Sequence, residues 1–286
     1  MPDFSRVDFA HMSRALQLAR RGRYGAHPNP MVGCVLARGD KSIGEGWHER
    51  SGEAHAEVNA LAAAGDAKGA TAYVTLEPCS HHGRTPPCSD ALIAAGVSEL
   101  VCAMEDPFPA VSGDGFDALR RAGISVRIGL LQSEAEKLNR GYLTRVRERR
   151  PFVRMKLAAS IDGAVAMKNG ESQWITGPEA RGDVQRLRAE SGAILSGIGT
   201  VLADDPSFTV RHSSIDTGGR QPLRAIVDSE LRLPLSSSML CLAGQTVIYC
   251  RNDKNRAALE HAGVEVVKLD GDGGQVPIDA VMHDLG

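Results

Sequence analysis

The sequence predicts an α/β protein of two domains. Three observations carry this reading. Short apolar runs alternate with amphipathic segments along most of the chain. Glycine closes several of the helical segments just before the next apolar run. One strongly charged stretch, RVRERRP at 145–151, interrupts the alternation. Alternation with short connections implies largely parallel sheets covered by helices. The chain has 286 residues, 42% hydrophobic and 24% charged, an ordinary globular composition with length enough for two cores. The charged stretch places the boundary between 1–150 and 151–286.

Phe9, Met12, Leu16, Leu18 and Ala19 recur at helical spacing, so Phe9–Arg20 is a helix, with Arg20, Arg21 and Arg23 suiting its negative end. HPNPMVGCVLARGDKSIGEGW (27–47) reads as a turn, a strand, a Gly-Asp reversal and a second strand. Ala56–Ala64 is a helix closed by Gly65, and Ala72–Leu76 a buried strand. Helix Ser89–Ala95 closes at Gly96 before strand Glu99–Met104, and helix Phe116–Ala122 closes at Gly123 before strand Ile124–Ile128. Ser133–Arg147 is one helix. In the second half, Phe152–Ala159 is a strand and Pro178–Ala189 a helix with proline in its first turn. Ala193–Ser196, Leu223–Val227 and Thr246–Tyr249 are strands. Helix Lys254–His261, strand Val264–Lys268 and a helical pattern in VPIDAVMHDLG follow.

A formal charge of −2 leaves no electrostatic footprint for nucleic acid or membrane. The N-terminus has no apolar core of a signal peptide, and no run approaches the roughly 18 apolar residues of a membrane span. The cytoplasm is the default compartment. Six cysteines are too few for a disulfide scaffold. Cys34, Cys102, Cys241 and Cys250 lie in apolar runs and read as small core residues. Cys79 and Cys88 differ, since each follows a proline in a polar loop.

These two join His55 and Glu57 in a pattern with chemistry. A catalytic zinc takes three protein ligands and leaves a fourth position to water. His55, Cys79 and Cys88 supply the three. Glu57, two residues beyond His55, can face the water without binding the metal. H-x-E followed by P-C-x-x-C is the signature of zinc deaminases, with the glutamate as proton shuttle; here the cysteines stand further apart. Two thiolates cancel the formal charge of Zn²⁺, so a carboxylate base beside the water becomes useful. A structural zinc closed by His81 or His82 is the competing reading, and it gives Glu57 no role. Ser196–Thr200 (SGIGT) hints at a phosphate loop but lacks the third glycine of a dinucleotide fingerprint, and GIG alone reads as a tight turn.

HPNPMVGCV, GEAHAEVNAL, TLEPCSHHGRTPPC, LAASIDG, GESQWIT and VLADDPSFTVR together closely resemble the bifunctional deaminase/reductase family of riboflavin biosynthesis, over essentially the whole chain. The long Cys-to-Cys insert fits that family's enlarged loop, which closes over substrate. The resemblance implies a cytidine-deaminase-like α/β/α domain followed by a dihydrofolate-reductase-like α/β domain, incomplete at its C-terminus. It implies zinc on His55, Cys79 and Cys88 and a proton shuttle at Glu57. Substrate contacts are implied at Asn29, His81 and Arg84, the last two holding the phosphate. In the second domain it implies NADPH at Lys156, Ala158, Trp174, Thr200, Asp204 and Ser229, and substrate at Ser172, Arg188, Phe208 and Arg211. The implied reactions are deamination of 2,5-diamino-6-ribosylamino-4(3H)-pyrimidinone 5′-phosphate, then NADPH-dependent opening of the ribose to ribityl. A small phosphorylated pyrimidine is the expected partner, with no nucleic acid or membrane, in a homo-oligomer. The family's pattern runs on beyond Gly286 into a Gly-rich phosphate turn, so deamination without reduction is expected of this chain. The alternatives are a deaminase of another base, a nucleoside or a tRNA adenosine, and a non-catalytic zinc module.

Overall fold

A computed structural model describes residues 3–80, 86–109, 111–271 and 274–286. The chain divides into two compact units, Met1–Phe152 and Val153–Gly286.

The first unit opens with α1 (Arg6–Ala19). Ser5 caps it, accepting from the Asp8 backbone while the Asp8 side chain accepts from the Ser5 backbone, a reciprocal capping box. There follow β1 (Gly33–Arg38), β2 (Lys41–Trp47), α2 (Ala56–Ala64), β3 (Thr71–Val74), α3 (Cys88–Ala94), β4 (Glu99–Cys102), α4 (Asp114–Arg121), β5 (Ser125–Ile128), α5 (Gln132–Leu138) and α6 (Arg140–Glu148). The strand order is β2-β1-β3-β4-β5. β1 runs antiparallel to both β2 and β3, whereas β3, β4 and β5 are parallel. The sheet is therefore mixed. The Gly39-Asp40 reversal is too short to join parallel strands, and Gly39 supplies the positive φ of +61° at the turn.

Both faces of this sheet are buried, so the buried positions of its inner strands are mostly apolar. In β1, Val35 and Ala37 face a core with Met12, Leu16 and Tyr73. Cys34 and Leu36 face the opposite core with Ala60, Leu92 and Phe116. The two glycines of β2 have a steric purpose. A Cβ on Gly44 would lie 2.4 Å from the Ala60 carbonyl oxygen, and one on Gly46 2.4 Å from that of Ala56. Their absence lets α2 settle directly on the strand, which fixes the helix whose first turn carries Glu57. The expected helix 133–147 is two helices. They meet at Asn139, which leaves helical geometry (φ −102°, ψ 22°) because its side chain is spent on the backbone of Met31.

The second unit contains α7 (Pro178–Glu190), β6 (Ala193–Gly197), α8 (Ile198–Asp204), β7 (Leu223–Val227), β8 (Thr246–Cys250), α9 (Arg256–His261), β9 (Glu265–Lys268) and α10 (Ile278–Asp284). Its sheet, β6-β7-β8-β9, is parallel throughout. Ile226 and Ile248 face one core with Val201 and Leu259; Ala225, Val247 and Tyr249 face another with Val281 of α10. Residues 151–177 carry no helix or strand. The strand expected at Phe152–Ala159 is thus not formed: it has no ladder partner among the described residues, and Met155 and Leu157 stand 88% and 72% exposed. Cys34, Cys102 and Cys250 are buried as expected, but Cys241 is exposed, in a one-turn segment at the surface. No helix among the described residues is long and apolar enough to cross a membrane.

Candidate active site

His55 is the cap residue of α2 (φ −75°, ψ 165°), and its ring reaches toward α3 from outside the helix. Cys88 is the first residue of α3, and Cys79 follows the strand-end segment after β3. His55 Nδ1 lies 3.2 Å from Cys88 Sγ and 3.6 Å from Cys79 Sγ. The three donor atoms fall within 4.8 Å of one another, and no other group of described residues has that arrangement. Two sulfurs on a tetrahedral zinc at about 2.3 Å would stand about 3.8 Å apart, so the donors converge as a zinc ion requires. The donor set fits too: one imidazole and two unbridged thiols. The Cys88 thiol beside it pulls Cys79 well below the usual thiol range, and Cys88 is pushed up in turn. Two thiols this close share one negative charge until a cation arrives.

Glu57 sits in the first turn of α2 and is 3% exposed. Burial pushes its carboxyl up to about 7. A carboxyl poised there can both take and give a proton at neutral pH. Asn29 enters through His48, which is also buried. His48 Nδ1 lies 3.2 Å from the Ala54 carbonyl, so that nitrogen carries the proton. Nε2 is then an acceptor, and the Asn29 amide donates to it at 3.1 Å. With its amide nitrogen so engaged, the Asn29 side chain has Oδ1 as its acceptor. The His48 ring meets that of His55 edge-on, with centroids 5.3 Å apart. His81 and Arg84 lie outside the described residues, as does His82, the other proposed fourth zinc ligand.

Sequence reasoning missed the supports of this site. Asn139 accepts from the Met31 N–H at 2.8 Å and donates to the Met31 carbonyl at 2.9 Å. Arg145 of α6 donates to the Pro28 carbonyl at 3.1 Å. Together they hold the turn that carries Asn29 across more than a hundred residues of sequence.

In the second unit, Ser196–Thr200 is a strand-to-helix junction, and Thr200 and Asp204 lie on α8. Ser229 follows β7, and its hydroxyl accepts from the Val276 N–H at 3.3 Å. Ser229 and the start of α8 follow the carboxyl ends of β7 and β6, the edge at which open α/β folds bind ligands, while Asp204 ends α8. Arg188 of α7 donates to the Thr209 carbonyl at 3.1 Å, next to buried Phe208, and the Arg211 N–H donates to Gln185 of the same helix. Burial, and then the Arg211 charge, lower Arg188. Lys156, Ser172 and Trp174 are exposed and Ala158 half-buried, all within the stretch that has no helix or strand. Trp174 stacks under the Arg181 guanidinium, 4.5 Å from its ring centroid.

Residues 5–104 match the cytidine and deoxycytidylate deaminase zinc-binding region, and residues 151–286 match the RibD C-terminal domain. Over 249 residues the chain is 55% identical to riboflavin biosynthesis protein RibD of Escherichia coli strain K12, covering 84% of this chain and 68% of that protein. It is 52% identical over 243 residues to the Haemophilus influenzae protein of the same name, covering 82% of this chain and 65% of the other. A solved structure of Acinetobacter baumannii RibD matches with a TM-score of 0.90 at 45% identity, over 98% of this chain and 77% of that one. A Thermotoga maritima diaminohydroxyphosphoribosylaminopyrimidine deaminase/5-amino-6-(5-phosphoribosylamino)uracil reductase matches with a TM-score of 0.85 at 34% identity, over 98% and 77%.

Proposed function

The chain belongs to the RibD family of riboflavin biosynthesis proteins, and from that premise we propose that its first unit hydrolytically deaminates 2,5-diamino-6-ribosylamino-4(3H)-pyrimidinone 5′-phosphate. Against the expectation of deamination without reduction, its second unit, matched as the RibD C-terminal domain over residues 151–286, would then reduce the resulting 5-amino-6-(5-phosphoribosylamino)uracil with NADPH. The deaminase and reductase domains are both present, and Zn²⁺ and NADPH are the cofactors they imply. The observation that carries the proposal is the meeting of His55, Cys79 and Cys88 beside a buried carboxyl, Glu57, that is not one of the three.

Zinc, when bound, supplies the Lewis acidity that makes water nucleophilic at neutral pH. His55 Nδ1 and the two sulfurs would hold it. Glu57 would take the water proton on its carboxylate, pass it to the ring nitrogen, and deliver a proton to the departing amine, so that water enters and ammonia leaves. The Asn29 carbonyl would accept a hydrogen bond from the substrate, and His81 and Arg84 would hold its phosphate. In the second unit Ser172, Arg188, Phe208 and Arg211 would bind the phosphorylated intermediate. Lys156, Ala158, Trp174, Thr200, Asp204 and Ser229 would bind NADPH. We place the protein in the cytoplasm, as a homo-oligomer.

The test offers purified chain the phosphorylated diaminopyrimidine, cytosine, cytidine and tRNA, and follows ammonia release. Release from the phosphorylated pyrimidine alone is expected. Comparable release from cytidine or tRNA would overturn the substrate assignment. Adding NADPH to the deaminated product and following loss of nicotinamide absorbance tests the reductase half.

A further inference from the structure

We propose that Glu77 is a positioning residue for the zinc centre: its carboxylate is captured by the backbone N–H groups of Asp106, Gly113, Gly115 and Phe116 and thereby sets the Pro78–Cys79 turn and the Cys79 sulfur. The proposal rests on the zinc ligands assigned above.

Glu77 is 4% exposed, yet it carries a carboxylate. Its Oε2 accepts from the N–H groups of Asp106 at 3.2 Å and Gly113 at 3.1 Å; its Oε1 accepts from those of Gly115 at 3.0 Å and Phe116 at 3.4 Å. Three of these donors belong to the start of α4, where N–H groups have no partner within the helix and the dipole favours an anion. The carboxylate thus binds a loop and a helix end to one point at the end of β3. On its own backbone, the Glu77 N–H donates to the Met104 carbonyl at 3.0 Å. Backbone and side chain are both fixed.

One residue separates Glu77 from Cys79. That residue is Pro78, whose ring fixes φ, so few soft dihedrals lie between the clamp and the sulfur. Helix α4 also presses on this link: a Cβ on Gly115 would come within 2.1 Å of the Pro78 carbonyl oxygen. Beyond the turn, the Cys79 carbonyl accepts from the Ser89 N–H and hydroxyl, each at 3.2 Å, and the Cys88 N–H points at Cys79 Sγ at 3.3 Å. Cys79 is held on both sides, by α4 through Glu77 and by α3 through Ser89. A shift of α4 would therefore move the sulfur. Partners beyond the ligands commonly govern metal affinity to this degree.

Glu77→Gln keeps the shape but turns an NH₂ against two N–H donors. Zinc affinity, measured by chelator competition, should fall about 10–100-fold. The cobalt-substituted protein should show altered ligand-field and thiolate charge-transfer bands. A merely structural role would lower Tm and leave affinity and the cobalt spectrum as in the parent; that result would overturn the proposal. Arg127→Met, which disrupts the same unit far from the zinc loop, calibrates the effect of instability alone and should leave both readouts unchanged. If Glu77→Gln does not fold, Gly115→Ala displaces α4 from Pro78 and decides by the same two readouts. Cys79→Ser separates this proposal from its premise: parent-like zinc affinity in that variant would remove the ligand assignment itself.

Discussion

The His55–Cys79–Cys88 cluster and the region proposed to bind NADPH are built from similar elements but secured differently. Around the zinc site, His55 starts a helix seated on glycine-lined β2, Cys79 lies between a four-donor carboxylate clamp and Ser89, and the Asn29 turn is held by Asn139. In the second unit, Thr200 and Asp204 lie on α8 after β6 and Ser229 follows β7, while Lys156, Ala158, Ser172 and Trp174 lie in a stretch with no ladder. Long-range anchoring fixes donor atoms closely, which zinc coordination demands, since ligand distances vary by only tenths of an ångström. A cofactor spread over many contacts can complete its site as it binds, at a cost in ordering free energy.

Glu57→Gln cuts the two regions apart most sharply. The carboxamide cannot take a proton from water, so deamination should fall by about 10²–10⁴-fold. Zinc content should stay as in the parent. Reduction of supplied deaminated intermediate should not change, because Glu57 belongs to the other unit. Steady-state ammonia release with zinc analysis measures this, and near-parental release would remove Glu57 from the mechanism.

A smaller effect is expected at the second region. Arg211→Ala removes one of two neighbouring cations. A lost charge-assisted contact is worth about 1.5–3 kcal/mol, or roughly a 10–150-fold rise in KM for the phosphorylated intermediate. The dephosphorylated compound should be affected far less. Equal losses for both compounds would show that Arg211 does not meet the phosphate.

The convergence of His55, Cys79 and Cys88 was legible because the residue types in the H-x-E and Pro-Cys pattern already point to a metal. Their supports were not. Asn139 and Met31 are 108 residues apart, and Glu77 meets donors 29 to 39 residues downstream. A lone asparagine or glutamate has no periodicity to mark it, and only the fold brings its partners. The break between α5 and α6 was hidden for the same reason, because Asn139 leaves the helix to serve Met31. At Phe152–Ala159 the error ran the other way. Apolar composition suits a strand, but a strand exists only when a neighbour accepts its hydrogen bonds. Cys241 sat in an apolar run that the fold leaves at the surface.

The smallest expected effect concerns how firmly the first unit is assembled. Asp8, 5% exposed, receives the Arg127 guanidinium on both oxygens at 3.1 Å, the Tyr73 hydroxyl at 2.8 Å and the Ser5 N–H at 2.8 Å. Burial alone would raise its pKa, but Arg127, Ser5 and Tyr73 outweigh burial and hold the carboxyl well below the usual carboxylate range. A carboxyl depressed on folding contributes stability that is complete above its unfolded pKa of about 3.9 and fades as pH falls through the folded value. Asp8→Asn leaves the Arg127 charge half-buried against Glu99 alone, 2.7 Å away. Breaking such a pair costs several kcal/mol when fully buried and less here, where Arg127 keeps 25% exposure. At pH 7 the first unit should melt a few degrees lower, at about 1–2 kcal/mol of lost stability. As pH drops below about 4, the unfolded chain takes up a proton that folded Asp8 still resists, so the parent loses this stability and the gap between parent and variant should narrow, closing only as pH falls through the depressed folded value. Melting curves at pH 7, 4 and 2.5, read by first-unit Trp47 fluorescence, check the sign. A gap that widened with acid would mean Asp8 is protonated in the folded protein and that the network around Arg127 is held by Glu99.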